Sequence, residues 1–140
     1  MRLVVDTDVI VAAIRSPTGA SAALLRCLLE RSATMLLSVP LGFEYQATCL
    51  RAEHVLAARA TEADITNLID AIIDVIEAVE VHYQWRPQLS DAGDELVLEA
   101  AVNGRADAIV TFNRRDYGGA PARFGIEVLA PADALRRIRR

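Results

Sequence analysis

Short apolar, often β-branched runs alternate with helical patterns along the whole of this 140-residue chain. No other feature constrains the fold as strongly. Strands that each hand over to a helix pair most readily as a parallel sheet, through right-handed crossovers. The strand-like runs are Leu3–Val5, Met35–Val39, Val79–Tyr83, Ala108–Thr111 and Ile126–Leu129. Between them lie a helical pattern from Val9 to Ile14 and another from Ser21 to Arg31, with Leu24, Leu25, Leu28 and Leu29 on one face. Pro40 suits the first turn of a helix that carries Phe43, Glu44 and Ala47 and extends toward or past Cys49. Thr61-Glu62-Ala63-Asp64 reads as a helix start, followed by an apolar stripe of Ile65, Leu68, Ile69, Ile72 and Ile76. Asp91 to Val102 reads as a helix closed by Asn103-Gly104, and Pro131 opens a terminal helix. Ser16–Gly19 is a break, Trp85 to Ser90 a connection, and Tyr117 to Phe124 a loop. The pattern predicts a single α/β domain over residues 1–140, three-layered, with a central, mainly parallel sheet flanked by helices. A hydrophobic content of 53% agrees with a sheet covered on both faces. A chain of this length buries enough core to fold without a disulfide or structural metal.

Cys27 and Cys49 stand in helical segments without metal-type spacing and read as reduced thiols. Asp6 and Asp8 interrupt the N-terminal apolar stretch, so it does not read as a signal peptide. No run approaches the roughly 18 apolar residues of a membrane span. The expectation is a soluble, cytoplasmic protein that does not engage membrane. Net charge is −4, which argues against a general nucleic-acid coat but leaves local patches open.

The functional signal lies in where the acids fall. In open α/β sheets, sites form beyond the carboxyl ends of the strands. Asp6 and Asp8 follow the first strand, and Glu44 lies on the helix after the second. Asp91 and Asp94 open the helix after the third, while Asn113 and Asp116 follow the fourth. Each has an ordinary structural reading. Asp6, Asp8, Asp91 and Asp94 suit helix starts, Asp116 a turn, and Glu44 a solvated helix face. Those readings do not explain why all of them share one sheet edge. Clustered carboxylates oppose folding unless something neutralises them, and an all-oxygen set suits Mg²⁺ or Mn²⁺. The chemistry such a site most often serves is phosphoryl transfer or phosphodiester hydrolysis.

All 15 basic residues are arginine, which removes several alternatives. A phosphatase using Asp6 as nucleophile and Asp8 as acid, of the haloacid dehalogenase type, also uses a lysine. Response-regulator receivers fail on the same ground, and a P-loop fails for want of Gly-Lys-Ser/Thr. His54 and His82, the only histidines, have no second zinc ligand near them in sequence and read as surface or half-buried residues. There is no Gly-x-Ser-x-Gly elbow for a Ser-His-Asp hydrolase.

Leu3-Val4-Val5-Asp6-Thr7-Asp8-Val9, Glu44, Asp94 ahead of Leu98-Glu99-Ala100-Ala101, and Ile109-Val110-Thr111-Phe112-Asn113-x-x-Asp116 resemble the PIN-domain nucleases. The arrangement over about residues 1–135 is most similar to the toxin components of bacterial toxin–antitoxin systems, the VapC-like group. The resemblance implies a PIN-like fold and catalytic acids Asp6, Glu44, Asp94 and Asp116, with Asp6, Asp94 and Asp116 as metal ligands. It implies supporting roles for Thr7, Asp8, Asp91, Thr111 and Asn113. Asp8 stands where many members have Asn, and Asn113 where some have Asp. The implied activity is a Mg²⁺- or Mn²⁺-dependent endoribonuclease acting on RNA, with a cognate antitoxin partner and often a homodimer. A housekeeping RNA-processing PIN nuclease, or a catalytically weak module that binds RNA or a partner, would share the fold. Arg114 and Arg115, within the fourth-strand loop, are the candidate RNA-binding residues; the terminal Arg136-Arg137-Ile138-Arg139-Arg140 run is a further one. The Ser21–Arg31 and Thr61–Val79 segments are expected to offer an apolar surface for a dimer or antitoxin.

Overall fold

Leu3, Val4 and Val5, and likewise Ala108, Ile109 and Val110, are each no more than 1% exposed. Strands apolar on both faces must be covered on both faces, and this pair forms the centre of the sheet. In the computed structural model, which describes residues 1–82 and 88–140, the strands are β1 (Arg2–Val5), β2 (Thr34–Ser38), β3 (Glu77–Val79), β4 (Ala108–Val110) and β5 (Glu127–Leu129). They lie in the order β3-β2-β1-β4-β5, and every pairing is parallel. Val5 stands opposite Val110, and Ser38 opposite Val79. The chain works outward from β1 to β3, then returns to β4 on the other side of β1. The gap beyond β1 and β4 is therefore the topological switch point, where open sheets place their sites.

The helices are α1 (Thr7–Arg15), α2 (Ala20–Leu29), α3 (Val39–Cys49), α4 (Ala52–Ala58), α5 (Glu62–Val75), α6 (Ala92–Asn103), α7 (Arg114–Tyr117), α8 (Ala120–Arg123) and α9 (Pro131–Ile138). Helix α6 packs against β1, β2 and β4, while α2 packs against both α1 and α9. Local chemistry sets the starts. Ser38 accepts from the Leu41 amide and Pro40 lies in the first turn of α3. Thr61 and Asp64 form a reciprocal capping box on α5. Asp91 accepts from the Asp94 amide at 3.0 Å and caps α6.

Several expectations require correction. The third strand covers Glu77–Val79, not Val79–Tyr83. Its partner β2 ends at Ser38, opposite Val79, and the chain then turns into α3, so nothing remains beyond Val79 to pair with. Tyr83 and the first part of the expected Trp85–Ser90 connection lie outside the described residues. Tyr117–Phe124 is not simply a loop: α7 ends at Tyr117, and α8 makes a single turn that buries Ala120 and Pro121. The helix opened by Pro40 stops at Cys49, and α4 follows as a separate element. Helix α2 offers no apolar patch, because Leu24, Leu25 and Leu28 are consumed in the core. The Thr61–Val79 segment does offer apolar surface, at Ile73, which joins Val39 and Phe43 of α3 around a groove of about 290 Å³ between α3, α5 and β3.

Gly104 ends α6 where β2 and β3 press closest. A Cβ there would stand 2.8 Å from Val79 Cγ2 and 3.0 Å from Leu36 Cδ1. Gly104→Ala should therefore destabilise the protein by about 1–3 kcal/mol. Urea denaturation will show this as a lower midpoint with an unchanged m value.

Candidate functional site

Asp6 is the residue that leaves β1, and it is 6% exposed. Its backbone amide donates to Val110 O at 2.8 Å, which ties it to β4. It occupies the N-cap position of α1, but its side chain makes no capping hydrogen bond. The carboxylate turns across the switch point instead. Oδ2 accepts from Thr111 Oγ1 at 2.8 Å and from the Tyr117 hydroxyl at 2.9 Å. Tyr45, fully buried on α3, donates its hydroxyl to Val5 O directly below.

Asp8 lies one residue into α1 and is half-buried. Its Oδ2 accepts from Phe112 N at 3.1 Å and Asn113 Nδ2 at 2.9 Å. Thr111 Oγ1 is also near, at 3.3 Å, but a hydroxyl has one proton and the shorter contact to Asp6 takes it. Asp8 and Asn113 are thus hydrogen-bonded to each other. Asp8 Oδ1 is buried with no hydrogen-bond partner. A carboxylate oxygen in that state is costly and calls for a cation or a proton.

Glu44 projects from α3 and accepts from Thr48 Oγ1 at 3.2 Å. Gly93 of α6 lies beside both Glu44 and the Asp91 cap, and its tighter contact is with the cap. A Cβ on Gly93 would sit 3.0 Å from Asp91 Oδ1 and 3.8 Å from Glu44 Oε1. Asp6, Thr7, Asp8, Glu44, Asp91 and Asp94 all line one cleft of about 410 Å³. Asp116 is exposed and lines neighbouring depressions, one of them with Phe112, Asn113, Arg114 and Arg115. Its charge nevertheless reaches Asp94. Of the expected acids, then, Asp6, Glu44 and Asp94 share the cleft, while Asp116 stands at its margin. Arg114 and Arg115 flank the site without lining the cleft. Asp91 is engaged in capping α6, which was one of its two sequence readings.

Burial, then the neighbouring Asp6, pushes the Asp8 carboxyl up to about 6. Burial and the charges of Asp6, Asp91, Asp116 and Asp8 push Asp94 to about 6 as well. Asp6 is raised by burial, against the opposing hydrogen bonds from Thr111 and Tyr117. Burial, with these same acids nearby, also drives the Tyr117 hydroxyl far above its usual range, so it remains a donor to Asp6.

Sequence reasoning passed over several residues of this site. Val11, Thr48, Arg51, His54 and Gly93 line the cleft, and Tyr117 anchors Asp6. Part of that signal was readable. Thr48 follows Glu44 at i+4 within α3, and Val11 follows Asp8 at i+3 within α1, the spacings that share a helical face; Arg51 lies beyond the end of α3 and carries no such signal. Tyr117 carries no such signal, because α7 is a single turn placed by tertiary packing.

A family model described as the PIN domain matches residues 2–115. The chain belongs to the PIN-domain family. No curated protein matches it. PIN domains are generally metal-dependent nucleases, and the five-stranded parallel sheet with flanking helices is the corresponding α/β fold. The donor set of this PIN domain fits a hard divalent cation. It is carboxylate oxygen throughout, it converges on a cleft, and it includes the unpartnered Asp8 Oδ1. Among the described residues no three His, Cys, Asp or Glu side chains are yet close enough to hold an ion. These side chains would have to close together to bind an ion in the cleft.

The raised carboxyls fix the sign of a pH effect. For Asp8 and Asp94, protonation favours the folded state between the ordinary carboxylate range and about 6. The metal-free protein should therefore gain stability as pH falls from 7 toward 5. Asp64, Glu77 and Glu127 are lowered, so they lose stabilisation only below that window. Calorimetry without metal should give a higher Tm at pH 5 than at pH 7.5. Asp8→Asn or saturating Mg²⁺ should shrink the difference.

Proposed function

We propose that this PIN domain is a divalent-metal-dependent endoribonuclease that serves as the toxin of a bacterial toxin–antitoxin pair. The observation that carries the nuclease reading is the convergence of Asp6, Asp8, Glu44 and Asp94 from three separate connections onto one cleft at the switch point. Asp6, Asp94 and the unpartnered Asp8 Oδ1 would hold Mg²⁺ or Mn²⁺ in the cleft, with Asp116, the third ligand the resemblance implies, adding its charge from the margin. Bound there, the ion would supply an activated water and stabilise the leaving oxygen.

The chain's own residues set up that chemistry. Thr111 and Tyr117 hold the Asp6 carboxylate in one orientation through hydroxyl donors. Asn113 and the Phe112 amide fix Asp8 by one oxygen and leave the other unpartnered. Glu44, held by Thr48, places a further carboxylate in the cleft, where it can accept a proton. Thr7 lines the same cleft at the start of α1. The toxin reading rests on the resemblance of nearly the whole chain to PIN-family toxins. The apolar groove at Val39, Phe43 and Ile73 supports a partner surface of the kind an antitoxin or second copy would need.

The test is incubation of total bacterial RNA with the protein, with and without Mg²⁺ or Mn²⁺, followed by mapping of new 5′ ends. Metal-dependent cleavage at defined sites is expected, and co-expression of an adjacent small gene should suppress it. Asp6→Asn and Asp94→Asn should each lower cleavage by about 100-fold or more, since loss of even an outer partner of a metal ligand costs 10- to 100-fold. Their Tm without metal should be level or higher, because each removes a charge from a repelling cluster. A large fall in Tm accompanying the lost activity would make these residues structural instead.

A further inference from the structure

The carboxylate cleft has a cationic wall that the metal chemistry does not use. Arg51, at the start of α4, and His54, within it, line the same cleft as Asp6, Asp8, Glu44 and Asp94. Arg51 is exposed, and its guanidinium makes no hydrogen bond or ion pair among the described residues. Arg15 stands two turns beyond Asp8 on α1 and reaches across to His54, with Nη1 3.4 Å from Nδ1. A guanidinium can only donate, so Nδ1 is the accepting atom of this contact, while Nε2 faces Glu53 Oε1 at 3.8 Å. His54 therefore stands between Arg15 and the carboxylate of Glu53, on the same cleft wall as Arg51. Helix α4 packs against α1 and α3 through the half-buried Val55, and this packing holds His54 on the cleft wall while leaving Arg51 exposed.

At the other margin of the site, Phe112 leaves its ring 55% exposed while its amide donates to Asp8 Oδ2. An aromatic ring left open beside a carboxylate, next to Arg114 and Arg115, suits an unpaired base, which stacks on any aromatic face. Asp8 joins the two margins: its helix carries Arg15, and its carboxylate is bonded to the Phe112 loop.

From this juxtaposition we infer that Arg51, Arg15 and His54 form a phosphate-binding wall, and that a single RNA strand runs from this wall past the carboxylates to stack a base on Phe112. The inference rests on the nuclease reading of the cleft and names how its substrate is held. It also fits an acidic chain. With a net charge of −4, a polyanion has to be attracted locally, and arginine forks match phosphate oxygens in pairs. A double-stranded RNA would bring no free base to Phe112, since its bases are already stacked and paired.

The test measures binding of a fluorescein-labelled single-stranded RNA, with Ca²⁺ in place of Mg²⁺, over a salt series. For Arg51→Ala, affinity should fall and the slope of log K against log salt should shrink by about 0.7. For Arg15→Ala/Arg51→Ala together the slope should shrink by roughly 1.4, the value for two phosphate contacts on a single strand. Arg51→Lys should restore most of the slope, because it keeps the charge and loses only the fork. Phe112→Ala should weaken binding by roughly 5- to 100-fold and leave the slope unchanged, since stacking releases no counterions. A duplex of the same sequence should bind more weakly and be indifferent to Phe112→Ala. Tm for each variant serves as the folding control.

A wild-type slope in Arg15→Ala/Arg51→Ala would overturn the phosphate wall. Equal affinity for duplex and single strand, with no effect of Phe112→Ala, would overturn the single-strand path. Absence of RNA binding by the wild-type protein would overturn both. If the expected losses occur but RNA is never cut in Mg²⁺ or Mn²⁺, the nuclease reading fails and the binding path stands.

Discussion

A carboxylate buried at the end of a central strand has to be hydrogen-bonded, protonated or bound to a cation, and Asp6 organises the rest of the site around that requirement. Its backbone is fixed to β4 through Val110 O, and its side chain draws in hydroxyls from Thr111 and Tyr117. Those two residues come from the β4 end and from α7, so the carboxylate closes the switch point between β1 and β4. Thr111 in turn accepts from the Asn113 amide at 3.0 Å, which orders the loop that carries Asn113 to Asp8. One buried charge thereby positions a second, and both are pushed up by burial in a cluster of like sign.

This arrangement exchanges stability for readiness. Two carboxyls raised to about 6 mean that the folded chain carries repulsion near neutral pH. The unpartnered Asp8 Oδ1 adds an unsatisfied acceptor. Such features concentrate where a site is built to receive something positive. The surrounding core bears the cost: the central strands are closed to solvent, and α6 is packed tightly enough at Gly104 that no Cβ fits there without displacement.

On the proposed reading, the acidic cleft and its cationic wall divide the work of holding a polyanion. Carboxylates from β1, α3 and α6 face the place where charge would be neutralised by a cation, while Arg51, His54 and Arg15 occupy the α4 side. Arg114 and Arg115 remain at the opposite margin with Asp116. Basic residues at both margins would let a chain of net negative charge attract a polyanion locally, as the proposal requires.

The sequence alone determined the parallel α/β class, and it pointed to the ends of β1, β2 and β4 and to Asp6, Glu44 and Asp94, carboxylates that the fold brings to one cleft. Periodicity and position relative to a strand end are local properties, legible without any knowledge of the packing. Helix starts at Pro40, Thr61 and Asp91 were legible for the same reason, since caps are local chemistry. Only the tertiary structure decided that β3 stops at Val79, because its length depends on where β2 turns away. Only packing could place Tyr117 on Asp6, separate Asp116 from the main cleft, and consume the α2 stripe while leaving Phe43 and Ile73 open. The Arg15–His54 contact joins residues 39 positions apart. No spacing rule reaches that far: which helix faces meet is set by how α1, α3 and α4 share the limited space above the sheet, and that is a property of the whole core.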